Sequence, residues 1–273
     1  PASKLSLGYV ENLEDWLNKK IFPFEDKLTS EAVYWATLLT MAESMRFGIV
    51  STSDMYYFID DMVRATSEAG MKANISRAIV NFGDGDVWKL PSMQEMKRTF
   101  EAYHNTEDGR IKMDVSIHAE YTSNPLAVRE VSLYGKKVGA RMHIHVSETE
   151  SEHVACKRKY SLTPLQYFDS LGALDIPATA AHCVWIEGDD FDILKEWAQH
   201  IAKMNFTAIY IGPLFESVGH GYETTDYKKV DIRLGSNHDF KEYVQYCHEL
   251  GLHVIVDGVF NHVGREFFAF RDV

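Results

Sequence analysis

The segment ARMHIHV, residues 140–146, has a clear strand pattern, from which the fold class can be worked out. His143 and His145 alternate with three apolar residues, so a strand presents both imidazoles on one face and the apolar side chains on the other. An apolar strand face needs a covering layer. We therefore predict a strand that helices cover on one side and that carries histidines on the other.

Six further apolar runs rich in Val, Ile and Ala alternate with helical patterns, which is typical of repeated βα units and a parallel sheet. These predicted strands are residues 49–56, 73–80, 111–118, 178–184, 207–212 and 253–260. The fold class is therefore α/β, a parallel (βα) barrel-like domain with seven clear strands, one short of the eight of a standard barrel. Three alternatives stay open: residues 4–10 supply a makeshift strand, a second copy pairs in a homodimer or strand-swapped oligomer, or the sheet is rearranged.

Capping signals place the helices between these strands. We expect Ser30 to cap a helix that ends before Gly48, and Pro164 to begin another after Thr163. We expect Asn237 to cap a helix that ends before Gly251.

Composition excludes several function classes. The chain has 273 residues and a formal net charge of −12, with no cluster of Lys and Arg, so nucleic acid is not an expected partner. No apolar run approaches the roughly 20 residues of a membrane helix. The three cysteines lie far apart, which predicts free thiols in a reducing compartment, the cytoplasm.

Three predicted strands carry a histidine at or near their carboxyl end, at His118, His145 and His182. The carboxyl ends of parallel barrel strands open onto one face, so we expect these three residues to be neighbours. Glu148 follows His145 by three residues, at the mouth of the predicted barrel. A carboxylate at this place, beside a metal-bound water, can take a proton from the water and return it. We interpret the neighbouring Glu150 and Glu152 as solvated acids.

Residues from about 10 to 196 resemble the amidohydrolase superfamily, in the branch of cytosolic deaminases and chlorohydrolases that act on purine-like or triazine rings. The resemblance is carried by SIHAEYTSNP (116–125), MHIHVSETESEH (142–153) and AAHCVWIEGDDFDILKE (180–196). It implies that His145 binds a single divalent metal, zinc or iron, and that Glu148 is the proton shuttle. It also implies that His182 positions the hydrolytic water and that His118 contacts a small-molecule substrate.

Two parts of that family's metal site have no counterpart in this sequence. The family's first strand carries a His-x-His pair, where this chain has KLSLGYV, and its eighth strand carries an Asp ligand. His145 is then one ligand of four, and we expect metal binding to be weak or absent.

From about residue 197 the sequence resembles a barrel fragment of the α-amylase family of glycoside hydrolases. The markers are HGYETTDY (220–227) and DGVFNH (257–262). The resemblance implies sugar contacts for Tyr222 and His262, and a structural or metal-binding role for Asp257 and Asn261. A retaining glycosidase needs two paired carboxylates, and the family's come from strands that have no counterpart here, so we do not expect glycosidase activity.

The two resemblances meet in DILKEWAQHIAKMNF, residues 192–206, a helical pattern that fits either family. We expect segments 1–196 and 197–273 to form one barrel-like domain, joined as an engineered or selected chimera with little or no native activity. An active metal-dependent deaminase with a residual site is the alternative, and a non-enzymatic scaffold is a third hypothesis. A fourth places Asp257 where the lost eighth-strand Asp belonged.

Overall fold

The computed structural model describes residues 17–187, 190–203, 206–219, 221–258 and 263–271. After a π-helical turn at Leu17–Ile21, the helices are α1 (Phe22–Glu25), α2 (Ser30–Arg46), α3 (Ile59–Ala69), α4 (Pro91–Tyr103), α5 (Pro125–Val138), α6 (Glu150–Tyr160), α7 (Pro164–Ser170), α8 (Asp190–Lys203), α9 (Asn237–Glu249) and α10 (Phe268–Arg271). Short 3₁₀ turns lie at Val87–Lys89, Glu120–Thr122 and Ile232–Leu234. Within the described ranges, none of the helices has the length and apolar character needed to cross a membrane.

All seven predicted strands are present, with ends shifted by a few residues. The strands are β1 (Ser51–Tyr56), β2 (Lys72–Arg77), β3 (Ile111–Ser116), β4 (Met142–Val146), β5 (Ala178–His182), β6 (Ala208–Pro213), β7 (Phe215–Ser217), β8 (Thr224–Val230) and β9 (His253–Asp257). Strands β1 to β5 form one sheet in chain order, β6 and β9 form a parallel pair, and β7 and β8 form an antiparallel pair that the sequence pattern did not predict.

The predicted α/β class with a parallel barrel-type sheet is confirmed, as a partial barrel of five strands. The segment proposed as a makeshift first strand, residues 4–10, lies outside the described residues. The chain forms two compact units. The first holds the described residues up to His145 together with Phe168–Ala180, and the second holds Val146–Tyr167 and the described residues from Ala181 onward.

In the first unit, helices cover one face of the sheet. The apolar side chains of β3, among them Ile111, Met113 and Val115, are at most 1% exposed. Helix α5 packs so closely on β3 that a Cβ at Gly135 would lie 2.9 Å from Cγ2 of Val115. Helix α5 and strand β3 are therefore two layers of one closely packed core.

The opposite face of the same sheet is polar. Alternation along β3 puts Asp114 and Ser116 on this face, and Ser116 is paired in register with His143 of β4. His143 is 6% exposed and its Nδ1 lies 3.4 Å from Oγ of Ser76 on β2. Asp114 is 3% exposed, with Oδ1 4.0 Å from Nε of Arg141. A column of polar side chains therefore leads along this face toward the strand ends.

In the second unit, β6 and β9 pack on α8 and α9. The centre of this packing is Ala198, Cys247 and Leu252, each at most 1% exposed, with Ile209 of β6 and Val254 of β9 against it. Helix α8 contributes Ile201 to the same cluster.

Several helix ends differ from the predictions by one residue. Thr29, not Ser30, is the N-cap of α2, because its side chain accepts the Ala32 N–H. Ser236, not Asn237, caps α9. Asn237 instead accepts the Val230 N–H and donates to the Lys228 carbonyl, which ties the start of α9 to the end of β8. A side chain at a helix start has several local backbone partners within reach, and the pattern alone does not choose among them.

Candidate active site

His118 and His145 are neighbours in the first unit. Their ring centroids are 5.1 Å apart. Both the backbone N–H and Nδ1 of His145 lie within hydrogen-bond distance of the His118 carbonyl, at 3.1 and 2.8 Å. A carbonyl oxygen only accepts, so Nδ1 of His145 carries the hydrogen and the ring's lone pair lies on Nε2. This is the tautomer of an imidazole that binds a metal through Nε2.

In the second unit, the loops that follow β4 and β5 are tied together by their backbones. Cys183 donates its N–H to the Val146 carbonyl over 2.8 Å. Val184 and Trp185 both donate to the Ser147 carbonyl, over 3.0 and 3.1 Å. Three backbone hydrogen bonds therefore hold the segment that carries Glu148 beside the segment that carries His182.

The last residue of β5 and two residues of these loops have left-handed backbone angles, which residues other than glycine rarely adopt. Ser147 has φ 49°, His182 has φ 75° and Cys183 has φ 50°. Such conformations cluster at functional sites, where surrounding contacts hold them. Burial raises the pKa of the Cys183 thiol to about 12, so this cysteine stays a neutral thiol.

Glu148 and His182 form a pair. Oε2 of Glu148 lies 3.5 Å from Nε2 of His182, with 28% and 36% of the two side chains exposed. Partial burial lowers the pKa of His182, which favours the neutral imidazole. A carboxylate next to a neutral imidazole is suited to moving a proton to and from water.

The interpretation of Glu152 as a solvated acid is wrong. Glu152 is 7% exposed, and its carboxylate accepts the N–H groups of Ser147, Glu148 and Thr149 over 2.8, 3.0 and 3.4 Å. Thr149 in turn accepts the Glu152 N–H, which completes a capping box at the start of α6. The Thr-x-x-Glu spacing before a helix is a known signature of this box, so the sequence contained the signal.

The residues suggested by the α-amylase resemblance are placed only in part. Tyr222 is 46% exposed, next to β8. Partial burial and the nearby carboxylate of Asp257, at the end of β9, raise the pKa of Tyr210. Asn261 and His262 lie outside the described residues. A structural or metal-binding role for Asp257 stays a prediction.

The described residues do not supply a full metal site around His145. In the described ranges, the one group of three or more His, Cys, Asp or Glu with ligand atoms in mutual reach is His238, Asp239 and Glu242, all exposed. Zinc sites use three or four protein ligands. His145 offers one suitable donor, and this does not fit a tightly held ion.

The structure thus brings His118 to His145 in one unit and Glu148 to His182 in the other. The predicted meeting of all three histidines stays a prediction, as do the roles drawn from the resemblance.

Curated relatives support the resemblance to deaminases of the amidohydrolase superfamily. The chain is 34% identical over 228 residues to a 5-methylthioadenosine/S-adenosylhomocysteine deaminase of Thermoanaerobacter pseudethanolicus, a match that covers 82% of this chain and 51% of the relative. It is 35% identical over 184 residues to a 5′-deoxyadenosine deaminase of Methanothermobacter thermautotrophicus, covering 67% of this chain and 43% of the relative. The chain thus spans about half the length of the relatives it matches.

Two other comparisons bear on the fold and on the last third of the chain. The structure is similar to that of an adenosine deaminase from Xanthomonas campestris with bound zinc, with a TM-score of 0.65, 19% identity, and coverage of 97% of this chain and 54% of that one. The family described as α-amylase, catalytic domain, matches residues 179–273. The structural likeness agrees with the barrel-type fold, and the family match agrees with the α-amylase resemblance of the last third. Neither supports an engineered origin of the junction.

Proposed function

We propose that this chain carries the proton-transfer part of a deaminase-type hydrolytic site that acts on amino-substituted nitrogen heterocycles of the purine nucleoside class. The observation that carries the proposal is the pair of Glu148 and His182, 3.5 Å apart in loops that backbone hydrogen bonds tie together. The relatives named as deaminases of 5′-substituted adenosines support the substrate class.

In the proposed reaction, water adds to the ring carbon that bears the amino group, the carbon–nitrogen bond breaks, and ammonia leaves. Glu148 takes a proton from the water and returns it to the leaving nitrogen. The neutral ring of His182 holds the water by accepting or donating a hydrogen bond. His118 contacts the substrate ring.

A divalent metal, when bound, makes water a better nucleophile by lowering its pKa. His145 is its proposed ligand, and Asp257 replacing a lost Asp ligand is an open proposal that Asp257→Ala tests through metal content. Because the described residues offer an incomplete ligand set, we expect weak metal binding and only trace turnover by this chain.

The test measures ammonia released from 5′-methylthioadenosine and 5′-deoxyadenosine at excess zinc, with zinc content determined after dialysis. We expect less than one zinc per chain and a trace rate that falls about 100-fold in Glu148→Gln. Glu150→Gln, two residues away and exposed, is the matched control and should keep the rate within about twofold.

Each outcome bears on one part of the proposal. No ammonia above the blank, or a rate that Glu148→Gln leaves unchanged, contradicts the proposed function. One tightly held zinc per chain with ordinary enzyme turnover contradicts the incomplete site and supports the alternative of a complete deaminase.

We also propose a reducing compartment such as the cytoplasm, in which Cys156, Cys183 and Cys247 remain free thiols, as they are in the structure. A second copy that completes the sheet remains a proposal, which sedimentation of the purified chain tests.

A further inference from the structure

We propose that Glu152 is the positioning residue of the Glu148–His182 pair. Its two carboxylate oxygens hold the backbone of the loop that carries Glu148. The positioning of this loop is independent of the reaction, and only its consequence for catalysis rests on the proposed function.

The contacts of Glu152 exceed those of a helix cap. A capping box uses the acid to accept the N–H of the N-cap residue, here Thr149. Glu152 also accepts the N–H groups of Ser147 and Glu148, the two residues before the cap. Three consecutive amides therefore converge on one buried carboxylate.

This convergence sets the direction of the loop. Ser147 has a left-handed backbone and donates its amide N–H to Glu152. In that conformation the Ser147 carbonyl receives the N–H groups of Val184 and Trp185, from the loop that carries His182. Glu152 thus holds the Glu148 backbone by a direct hydrogen bond. Through Ser147 it is also linked to the segment that follows His182.

The next residue in the helix supports the same loop from its side chain. Nδ1 of His153 lies 3.3 Å from Oγ of Ser147, and its Nε2 lies 3.3 Å from Oε1 of Glu187. Lys157 also pairs with Glu187. The loop therefore rests on a built network on α6, and Glu152 makes the direct contacts to its backbone.

The experiment compares Glu152→Ala, Glu152→Gln and the exposed control Glu150→Gln. Amide hydrogen exchange at Ser147, Glu148 and Thr149 is followed by NMR, with Met113 and Val115 of β3 as internal references. We expect exchange at the three loop amides to be about 10- to 100-fold faster in Glu152→Ala, as for lost hydrogen bonds to a charged acceptor. The β3 amides and Glu150→Gln should match the wild type.

Glu152→Gln keeps one acceptor oxygen, so part of the protection should remain. We expect about tenfold faster exchange for at least one loop amide and unchanged exchange for the others. If Glu152→Ala unfolds the chain, this variant decides: unchanged exchange at all three amides overturns the proposal. A second readout is the ring titration of His182, which Glu152→Ala should move toward its value in Glu148→Gln, whereas a purely structural cap would leave it in place.

The two proposals fail separately. Exchange needs no turnover, so a chain without ammonia release but with the expected exchange pattern contradicts the proposed function and supports the positioning role. Wild-type exchange in Glu152→Ala contradicts the positioning role even if ammonia release is lost.

Discussion

The five-stranded sheet and the β6–β9 pair have the same strand pattern but differ in how their faces are covered. In β4 the side chains of Met142, Ile144 and Val146 are fully buried. In β9, Ile255 is 51% exposed, and its register partner Tyr210 in β6 is 63% exposed. The strands of both sheets are parallel, and helices cover one face of each sheet.

The difference lies in the second face. In the five-stranded sheet the second face is polar and buried, with Asp114, Ser116 and His143 each at most 6% exposed. In the β6–β9 pair, the face opposite the helices carries Tyr210 and Ile255, which are the large side chains that a complete barrel buries in its interior. A strand pattern thus specifies a strand, and burial depends on the layers available to it.

We expect the buried face of β4 to contribute more to the free energy of unfolding than the exposed face of β9. Ile144→Ala in β4 removes a fully buried side chain, and we expect it to lower the free energy of unfolding by about 2–5 kcal/mol. Ile255→Ala in β9 should cost less than about 1 kcal/mol, because half of that side chain is already exposed. Urea unfolding followed by circular dichroism measures both. Equal costs would mean that the exposed face of β9 is covered in solution.

A smaller effect concerns the polar face. Burial raises the pKa of Asp114 to about 6, while nearby Arg141 opposes the shift. The folded chain then keeps a proton that the unfolded chain loses near pH 4, so the free energy of unfolding falls as the pH rises from about 4 to 6. Asp114→Asn stays neutral, and at pH 7 it should be more stable than the wild type by up to about 2–3 kcal/mol.

The matched control for Asp114 is Asp257→Asn on β9. Asp257 is partly exposed and lies near the Tyr210 hydroxyl, from which an Asn oxygen can also accept a hydrogen bond. We expect Asp257→Asn to change the free energy of unfolding by less than about 1 kcal/mol, both near pH 4 and at pH 7. An Asp114→Asn variant whose stability follows the wild-type pH profile would show that Asp114 ionises as a solvated acid does.

The sequence predicts the local fold well where a signal is local. The alternation in residues 140–146 and the βα period predicted seven strands that the structure contains, and Gly48 and Gly251 follow helix ends with left-handed angles, as expected. The pairing of β6 with β9 in a sheet of their own depends on long-range packing, which periodicity does not encode. The short pair β7 and β8 has too few alternating residues to stand out.

The candidate site divides in the same way. The strand-end position of His145 and the offset of Glu148 were readable from the sequence, and the structure places Glu148 beside His182. The prediction that Glu152 is a solvated acid was wrong because it relied on the other acidic residues nearby. The spacing of Glu152 from Thr149 fits a capping box and was the better signal. The tautomer of His145 depends on the His118 carbonyl, a contact between strands that no sequence pattern shows.

The most direct test of the account is the titration of the His182 ring by NMR in the wild type and in Glu148→Gln. An anion 3.5 Å away stabilises the imidazolium, so we expect the pKa of His182 to fall when Glu148 is neutralised and to stay unchanged in Glu150→Gln. An identical pKa in the wild type and Glu148→Gln would contradict the pairing on which the proposed chemistry depends.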